Sequence, residues 1–424
     1  MLDTETFVVV TAPMSTASAS SIRPYDKARD LDAITRVWRE VGWISDDDEA
    51  AFVEPFFDAG RTLVYEQDGA AESACHITGG TIRYQRRDLS MAGVTAVTTS
   101  RVARKQGAPR RLLARMLAEE AADGMQVAGL GMFEQGFYDT LGFGTGTYDH
   151  RFKFDPTTLL VDRPFRVPSR IGKGDFEAVH ACMIGRLRGH GGVTLESPLL
   201  LKCELGWLGT PFGLGYRDDD GNLTHFVYGE AKDENGPYEI AWCGYQTVDQ
   251  LFELLALVKS LGDQVHTVQV MEPEHVQFQD LLSQPFRNTM KATGTGFHHA
   301  ASWFQLRVLD LAGCVGAAEF PGGEVAFNLD LHDPAVDHLP DGVDWSGTAG
   351  NFVVTLGTKS GAEPGTDAAL PTLSGGVGPF TRMLFGIRPA SVLAATTDLE
   401  APAELLDALD AVIHLPSFHV GWDF

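Results

Sequence analysis

The sequence predicts an α+β protein built on mixed α/β sheets, and three observations carry that expectation. Strand-like runs and amphipathic helices succeed one another from Ile22 to Gly144 in the order β-α-(α)-β-β-β-α-β-α. A looser strand-strand-helix-strand succession follows between Pro211 and Met271. From about Ala301 the texture changes to short strands around Gly-, Asp- and Pro-rich turns. With 424 residues the chain exceeds what one hydrophobic core usually serves, so two or three domains are expected.

Residues 1–21 are rich in Ser, Thr and Ala, lack a sustained period and read as a flexible tail, within which Met14 offers an alternative start. Residues 22–24 read as the first strand. Residues 30–41 read as a helix with Leu31, Ile34, Val37, Trp38 and Val41 on one face. Trp43, the acidic run 46–49 and then Phe52, Phe56 and Phe57 follow. Residues 61–66, 74–84 and 91–99 look like consecutive strands joined by Gly-containing turns.

The most informative stretch begins at the end of the last of these strands, Val97-Thr98-Thr99, and runs on through Arg104-Lys105-Gln106-Gly107-Ala108-Pro109-Arg110-Arg111. It reads as strand, basic glycine turn and helix, a way to grip a pyrophosphate. Free N–H groups at a helix N-terminus point at the anion, and the helix dipole favours negative charge there. Arg104 and Gly107 have Arg-x-x-Gly spacing, in which glycine lets the backbone approach phosphate oxygens. Leu112, Leu113, Met116 and Leu117 then recur at helical spacing. Taken alone, such a tetrapeptide also fits an ordinary surface helix with basic flanks. Residues 126–132 read as a buried strand, and Phe133 to Gly144 as a short helix bearing Tyr138 and closing in Gly-Phe-Gly.

After Pro156 the organisation repeats loosely. Residues 174–187 carry Phe176, Val179, Met183 and Leu187 at helical spacing. Residues 211–230 read as a hairpin turning at 218–222, and that acidic turn lacks the pattern of a calcium loop. Thr247 and Gln250 form a capping box for a helix over 248–261 that Gly262 stops, and a strand follows over 264–271. No basic Arg-x-x-Gly turn precedes this second helix. Residues 303–311, 323–331 and 351–356 read as strands, and 379–385 and 403–413 as helices. The chain then ends in an aromatic segment, Ser417-Phe418-His419-Val420-Gly421-Trp422-Asp423-Phe424, whose composition favours burial over a frayed tail.

The order strand, basic turn, helix, strand, Tyr-bearing helix resembles the GNAT superfamily of N-acetyltransferases. With the length and the aromatic ending, the chain resembles the enhanced intracellular survival (Eis) family within it, from about Ile22 to Phe424. The resemblance implies tandem GNAT-like domains followed by a sterol-carrier-protein-like domain, divided as a tail (1–21), a catalytic GNAT domain (22–155), a degenerate GNAT-like domain (156–300) and a C-terminal domain (301–424). It implies acetyl-CoA as cofactor, held by Val97, Thr98, Thr99, Arg104, Lys105, Gln106, Gly107, Ala108, Arg110 and Arg111. It makes Tyr138 the acid that protonates the leaving thiolate, and a phenol with a reference pKa of about 10 keeps its proton for that task. It makes the main-chain carboxylate of Phe424 the general base. An exposed α-carboxyl, at about 3.3–3.7, is too acidic for efficient base work, and burial among apolar groups raises it. Trp38, Asp46 and Asp423 are candidates for holding a cationic amine, with aminoglycosides and polyamines the implied substrates and a hexamer the implied assembly. Two departures from the family pattern stand out: Pro109 removes one N–H donor from the turn, and the strand before it is rich in Thr.

The wider composition narrows the classes. A net charge of -24 disfavours nucleic acid and suits a cationic ligand, although acidity also serves solubility. No apolar run is long enough to span a membrane and no signal peptide is legible, so a cytoplasmic location is expected. The five cysteines, Cys75, Cys182, Cys203, Cys243 and Cys314, are widely spaced and fit reduced thiols, with no metal site expected. The rival class is a catalytically inactive GNAT scaffold that binds a lipid or a partner through its C-terminal domain.

Overall fold

The computed structural model describes residues 20–285 and 297–424. The expected tail lies outside the described residues up to position 19, and the first strand begins inside it, at Ser20. Three sheets organise the rest.

The first sheet has eight strands. Its strands are β1 (Ser20–Pro24), β2 (Arg61–Gln67), β3 (Ala70–Tyr84), β4 (Arg87–Thr99), β5 (Val127–Gly131), β6 (Gly144–Thr145), β9 (Val193–Leu195) and β15 (Phe304–Val308). They lie in the order β1-β2-β3-β4-β5-β15-β6, with β9 on β3. The second sheet orders β14 (Phe297–Ala301), β7 (Asp149–Phe154), β13 (Val268–Met271), β12 (Tyr238–Gly244), β11 (Leu223–Ala231), β10 (Pro211–Arg217) and β8 (Ser169–Arg170). The third has β18 (Gly361–Pro364), β17 (Gly350–Leu356), β16 (Val325–His332) and β19 (Thr372–Gly376) side by side.

The first two sheets exchange strands. β7 follows β6 in the chain yet joins the second sheet, between β14 and β13. β15 follows β14 yet inserts between β5 and β6 of the first. This corrects two sequence expectations: residues 149–154 leave the first unit's sheet, and Phe304–Val308 belongs to that sheet and not to the C-terminal region. The cause is visible in burial, since all five residues of β15 are buried. Its sequence, Phe-Gln-Leu-Arg-Val, alternates as a half-exposed strand would, and the burial of Gln305 and of Arg307, paired with Asp333, comes from neighbours that alternation does not reveal.

Three helices position the chemistry. α1 (Lys27–Val41) starts at Asp26, whose side chain accepts from the Ala28 N–H, and stops at Gly42 with φ 81°. It buries Ile34, Val37 and Trp38. Two short helices, α2 (Asp47–Ala50) and α3 (Val53–Phe57), follow it. α4 (Ala108–Ala122) buries Leu112, Leu113, Met116 and Leu117 under the first sheet. α5 (Gln135–Asp139) carries Tyr138. In the second unit, α6 (Phe176–Ile184) and α7 (Pro198–Trp207) pack together, and α8 (Val248–Ser260) backs the sheet.

After α9 (Leu311–Gly316), the third sheet is covered by α10 (Val377–Leu384), α11 (Ala390–Thr396) and α12 (Ala403–Val412). Beyond α12 the chain forms a strap without helix or strand that returns to the first two sheets. Thr147 Oγ1 donates to the Phe418 carbonyl at 2.9 Å, and the Val193 N–H to the Val420 carbonyl at 2.9 Å. The His419 N–H donates to the His190 carbonyl at 2.9 Å. Gly191 permits this approach, because a Cβ there would meet the His419 nitrogen at 2.8 Å.

Candidate active site

β4 and β5 run parallel and paired only from Met91 to Val94 against Val127 to Leu130. Beyond that point β4 carries a bulge, with Ala96 at φ 51° and the register against β3 shifting between Ala74 and His76. The strands part, and the opening is a cavity of about 260 Å³. Its walls include Val97 from β4, Met132 after β5, Tyr138 from α5, Trp303 before β15, and Asp423 with Phe424 from the strap.

Four distant segments therefore meet at one point. Phe424 lies across two strand glycines. A Cβ on Gly93 would sit 3.2 Å from its ring, and a Cβ on Gly131 would sit 3.1 Å from its main-chain oxygen. These glycines make room for the last residue, a signal that strand glycine offers in the sequence without naming what approaches. Phe304 meets the Phe424 ring edge-on at 6.0 Å. Tyr138 is 3% exposed and ringed by Phe133, Phe137 and Phe143. Burial, with a smaller contribution from Cys75, pushes its phenol well above the ordinary tyrosine range, so the proton stays on at neutral pH.

The basic turn lies downstream of the same strand end. Lys105 and Gly107 both adopt left-handed backbone, at φ 61° and 76°. Nothing lies within 4 Å of a Cβ added at Gly107, so backbone conformation and not crowding favours glycine there. Gly107 caps α4 without a side-chain hydrogen bond, and Ala108 is fully buried behind it. Arg104, Lys105 and Gln106 are exposed and Arg111 is half-buried. Gln106 donates to the Val102 carbonyl at 2.9 Å. These features fit a phosphate: an uncapped helix start, a glycine turn and free cations.

Other sequence-predicted residues sit differently. Arg110 turns away from the turn toward α5, donating from Nε to Thr140 at 3.1 Å with its guanidinium over Phe137. It braces the helix that carries Tyr138. Thr98 is buried and its carbonyl accepts from Ser73, while Thr99 Oγ1 lies 2.9 Å from Ser73 Oγ. Of this strand end, only Val97 lines the cavity. Trp38, a candidate for substrate contact, is 1% exposed in a cluster with Trp43, Phe56, Phe57 and Trp207. Its place on the apolar stripe of α1 sends it to the core, and Trp43, 47% exposed, lines the cavity instead. Asp46 accepts from the Glu49 N–H as the cap of α2, away from the cavity. Asp423, the third candidate for substrate contact, does line the cavity. It is exposed there, yet burial by the surrounding walls raises its carboxyl to about 6, opposed by Arg151.

The second unit has a matching opening. β12 pairs with β13 only from Tyr238 to Ile240, then runs on to Gly244 paired with β11 alone. Here, however, α8 is closed at its start. Thr247 accepts from the Gln250 N–H at 3.2 Å, and the Gln250 side chain accepts from the Gln246 and Thr247 N–H groups. The segment leading to it, Gly244-Tyr245-Gln246-Thr247, carries no cation. Among the described residues no group of three or more His, Cys, Asp or Glu is arranged to hold a metal, the five cysteines are free, and no helix is long and apolar enough to cross a membrane.

Residues 21–146 match the family model described as "Acetyltransferase (GNAT) domain". No curated protein matches the chain. Among solved structures, a probable N-acyltransferase from Enterococcus faecalis is similar at 16% identity and TM-score 0.76, over 94% of this chain and 97% of that one. A GCN5-related N-acetyltransferase from Anabaena variabilis is similar at 13% identity and TM-score 0.78, over 96% and 100%. Eis1 from Mycobacterium abscessus is similar at 16% identity and TM-score 0.74, over 96% and 100%. The chain thus carries a GNAT acetyltransferase domain, shares its overall fold with an Eis protein, and is an N-acetyltransferase that uses acetyl-CoA.

Proposed function

We propose that this GNAT enzyme acetylates an amine of a cationic small molecule, such as an aminoglycoside or a polyamine, with the Phe424 main-chain carboxylate as base and Tyr138 as acid. The observation that carries the reading is the single cavity where the β4 opening, Tyr138 and Phe424 meet from three distant parts of the chain.

Acetyl-CoA supplies an acetyl group activated as a thioester. Arg104, Lys105, Gly107 and Arg111 with the open start of α4 hold its phosphates, and the unpaired edge of β4 at Val97 lies beside its reactive end. The Phe424 carboxylate takes a proton from the substrate ammonium, which frees the nitrogen lone pair for attack on the thioester carbon. Tyr138 gives its proton to sulfur as the carbon–sulfur bond breaks, and regains one as the amide nitrogen sheds its own. One proton is released for each amide made from a charged ammonium. Asp423, one residue from the base, draws the cation to that end of the cavity.

The division into catalytic, degenerate and sterol-carrier-like regions and a hexameric assembly belong to the same proposal and rest on the family resemblance; a cytoplasmic location belongs to it as well. The rival reading, a scaffold holding a lipid in the C-terminal region, has less support. The inward residues Phe327, Leu329, Leu331, Val354 and Leu373 are already buried against that region's own helices.

The test is thiol release from acetyl-CoA with a panel of aminoglycosides and polyamines, for the intact chain and for one lacking Phe424. We expect turnover that collapses on the deletion while acetyl-CoA still binds. Turnover that survives the deletion would remove the base assignment, and absence of turnover with every amine would return the rival reading.

A further inference from the structure

α5 has to aim the Tyr138 hydroxyl at a reacting sulfur, and it is poorly equipped to do so alone. It is five residues long and no side chain caps its start. Helices this short are marginal in water unless other elements hold them. The Tyr138 ring packs against Phe133, Phe137 and Phe143, contacts that fill space without directing a hydroxyl. Where the phenol points therefore depends on what fixes α5.

Two side chains fix it from opposite directions. Gln305 comes from β15, the strand threaded between β5 and β6. Its Nε2 donates to Oδ1 of Asp139, the last residue of α5, at 2.7 Å and to Thr145 Oγ1 at 3.1 Å. Burial raises the Asp139 carboxyl, and this hydrogen bond works against the rise. Arg110 comes from the first turn of α4. Its Nε donates to Thr140 Oγ1 at 3.1 Å, and its guanidinium lies 5.3 Å from the centre of the Phe137 ring. Thr140 Oγ1 in turn donates to the Phe137 carbonyl at 2.7 Å. Arg110 thus holds the chain before and after Tyr138.

Packing does not explain an amide at position 305. Gln305 is fully buried between the apolar Phe304 and Leu306, and its Oε1 is buried without a hydrogen-bond partner. A leucine there would avoid that desolvation cost. The amide is kept for what its nitrogen holds.

The strand also places this contact relative to the base. Consecutive strand residues face opposite sides. Phe304 meets the Phe424 ring on one face of β15, and Gln305 meets α5 on the other. Arg307 shares the face of Gln305, donates to the Leu141 carbonyl just beyond α5 and pairs with the buried Asp333. One strand therefore lies between the end of the chain and the helix of Tyr138.

We propose that Gln305 and Arg110 are positioning residues for Tyr138, which clamp α5 between β15 and the helix that starts at the basic turn, and that Arg110 serves the acid and not the donor's phosphates. This rests on the assignment of Tyr138 as the acid above and extends it to the residues that set its place. Neither side chain touches the reacting atoms, and both act through the phenol.

The test is steady-state kinetics with an acetyl-CoA titration on Gln305→Leu, Arg110→Ala, Arg110→Lys and Tyr138→Phe, and on Gln305→Leu and Arg110→Ala each combined with Tyr138→Phe. We expect Gln305→Leu and Arg110→Ala each to lower kcat by about 10- to 100-fold, the scale of a displacement of about 1 Å at a reacting centre, with the acetyl-CoA Kd unaltered. Arg110→Lys keeps the charge and loses the fixed Nε donor, so it should not restore kcat. In the Tyr138→Phe background neither substitution should lower kcat further, because the group through which it acts is already gone. A loss that multiplies in that background overturns the proposal, as does an unchanged kcat in Gln305→Leu. Acetyl-CoA binding weakened by Arg110→Ala and restored by Arg110→Lys overturns it too, and returns Arg110 to the phosphates. If the urea midpoint shows that Gln305→Leu does not fold, the partly buried Arg110 decides the matter through its own variants. A Tyr138→Phe variant with native kcat would remove the acid and the clamp together, whereas multiplying losses remove the clamp alone.

Discussion

The two β-α-β openings of this chain share a plan and differ at one helix start. In the first, α4 begins at a left-handed glycine with no side chain closing its N–H groups and with Arg104 and Lys105 beside it. In the second, α8 begins with Thr247 and Gln250 closing those groups reciprocally. A helix that satisfies its own donors gains stability and loses the capacity to bind an anion. On the proposed reading, the difference teaches that the capping residue, more than the sheet opening behind it, decides which unit holds the donor. The second opening is then free to be lined with carboxyl groups that would repel a phosphate.

The largest effect that could break this comparison lies at Tyr138. Tyr138→Phe should lower kcat by about 100- to 10,000-fold, the usual range for a lost general acid, with acetyl-CoA affinity unaltered. Steady-state kinetics beside a binding titration checks it, and a small change in kcat would show that the thiolate leaves without help from α5.

A smaller effect sharpens the other side. Thr247→Ala removes the cap of α8 and should cost about 0.5–2 kcal/mol of stability, read as a shift in the urea midpoint. Acetyl-CoA affinity should not move, because that helix start faces no phosphate.

A further effect is a pH slope. The folded value of Glu204 is raised from 4.5 to about 8, so between those values the native state holds more protons than the unfolded one, and stability falls as pH rises across that window. Glu204→Gln should flatten the slope in urea titrations run without amine. An unchanged slope would mean that the cavity water already relieves the carboxyl.

The basic turn, the capping box of α8, the helix of Tyr138 and the buried chain end were legible in the sequence because each is local: caps, turns and short helices announce themselves within a few residues. The exchange of β7 and β15 was not legible. Alternation and apolar runs identify strands, but pairing is a long-range choice. Trp38, expected at the substrate, lies in the core, and Trp43 lines the cavity in its place, for a related reason. Both are aromatic and five residues apart, and only the packing of α1 sends the first inward and leaves the second at the cavity. The carboxyl groups of the second opening come from β7, α7, the segment after β13 and the strap, so no spacing rule could have assembled them.

The most direct test of the central claim is the stoichiometry of acetyl-CoA binding by calorimetry, for the native chain and for an Arg104→Ala, Gly107→Val double variant whose fold is checked by its urea midpoint. One site per chain, lost in the double variant, is the expected result. Two sites per chain, or one that persists when the turn of α4 is removed, would contradict it and place the donor in the opening of the second unit.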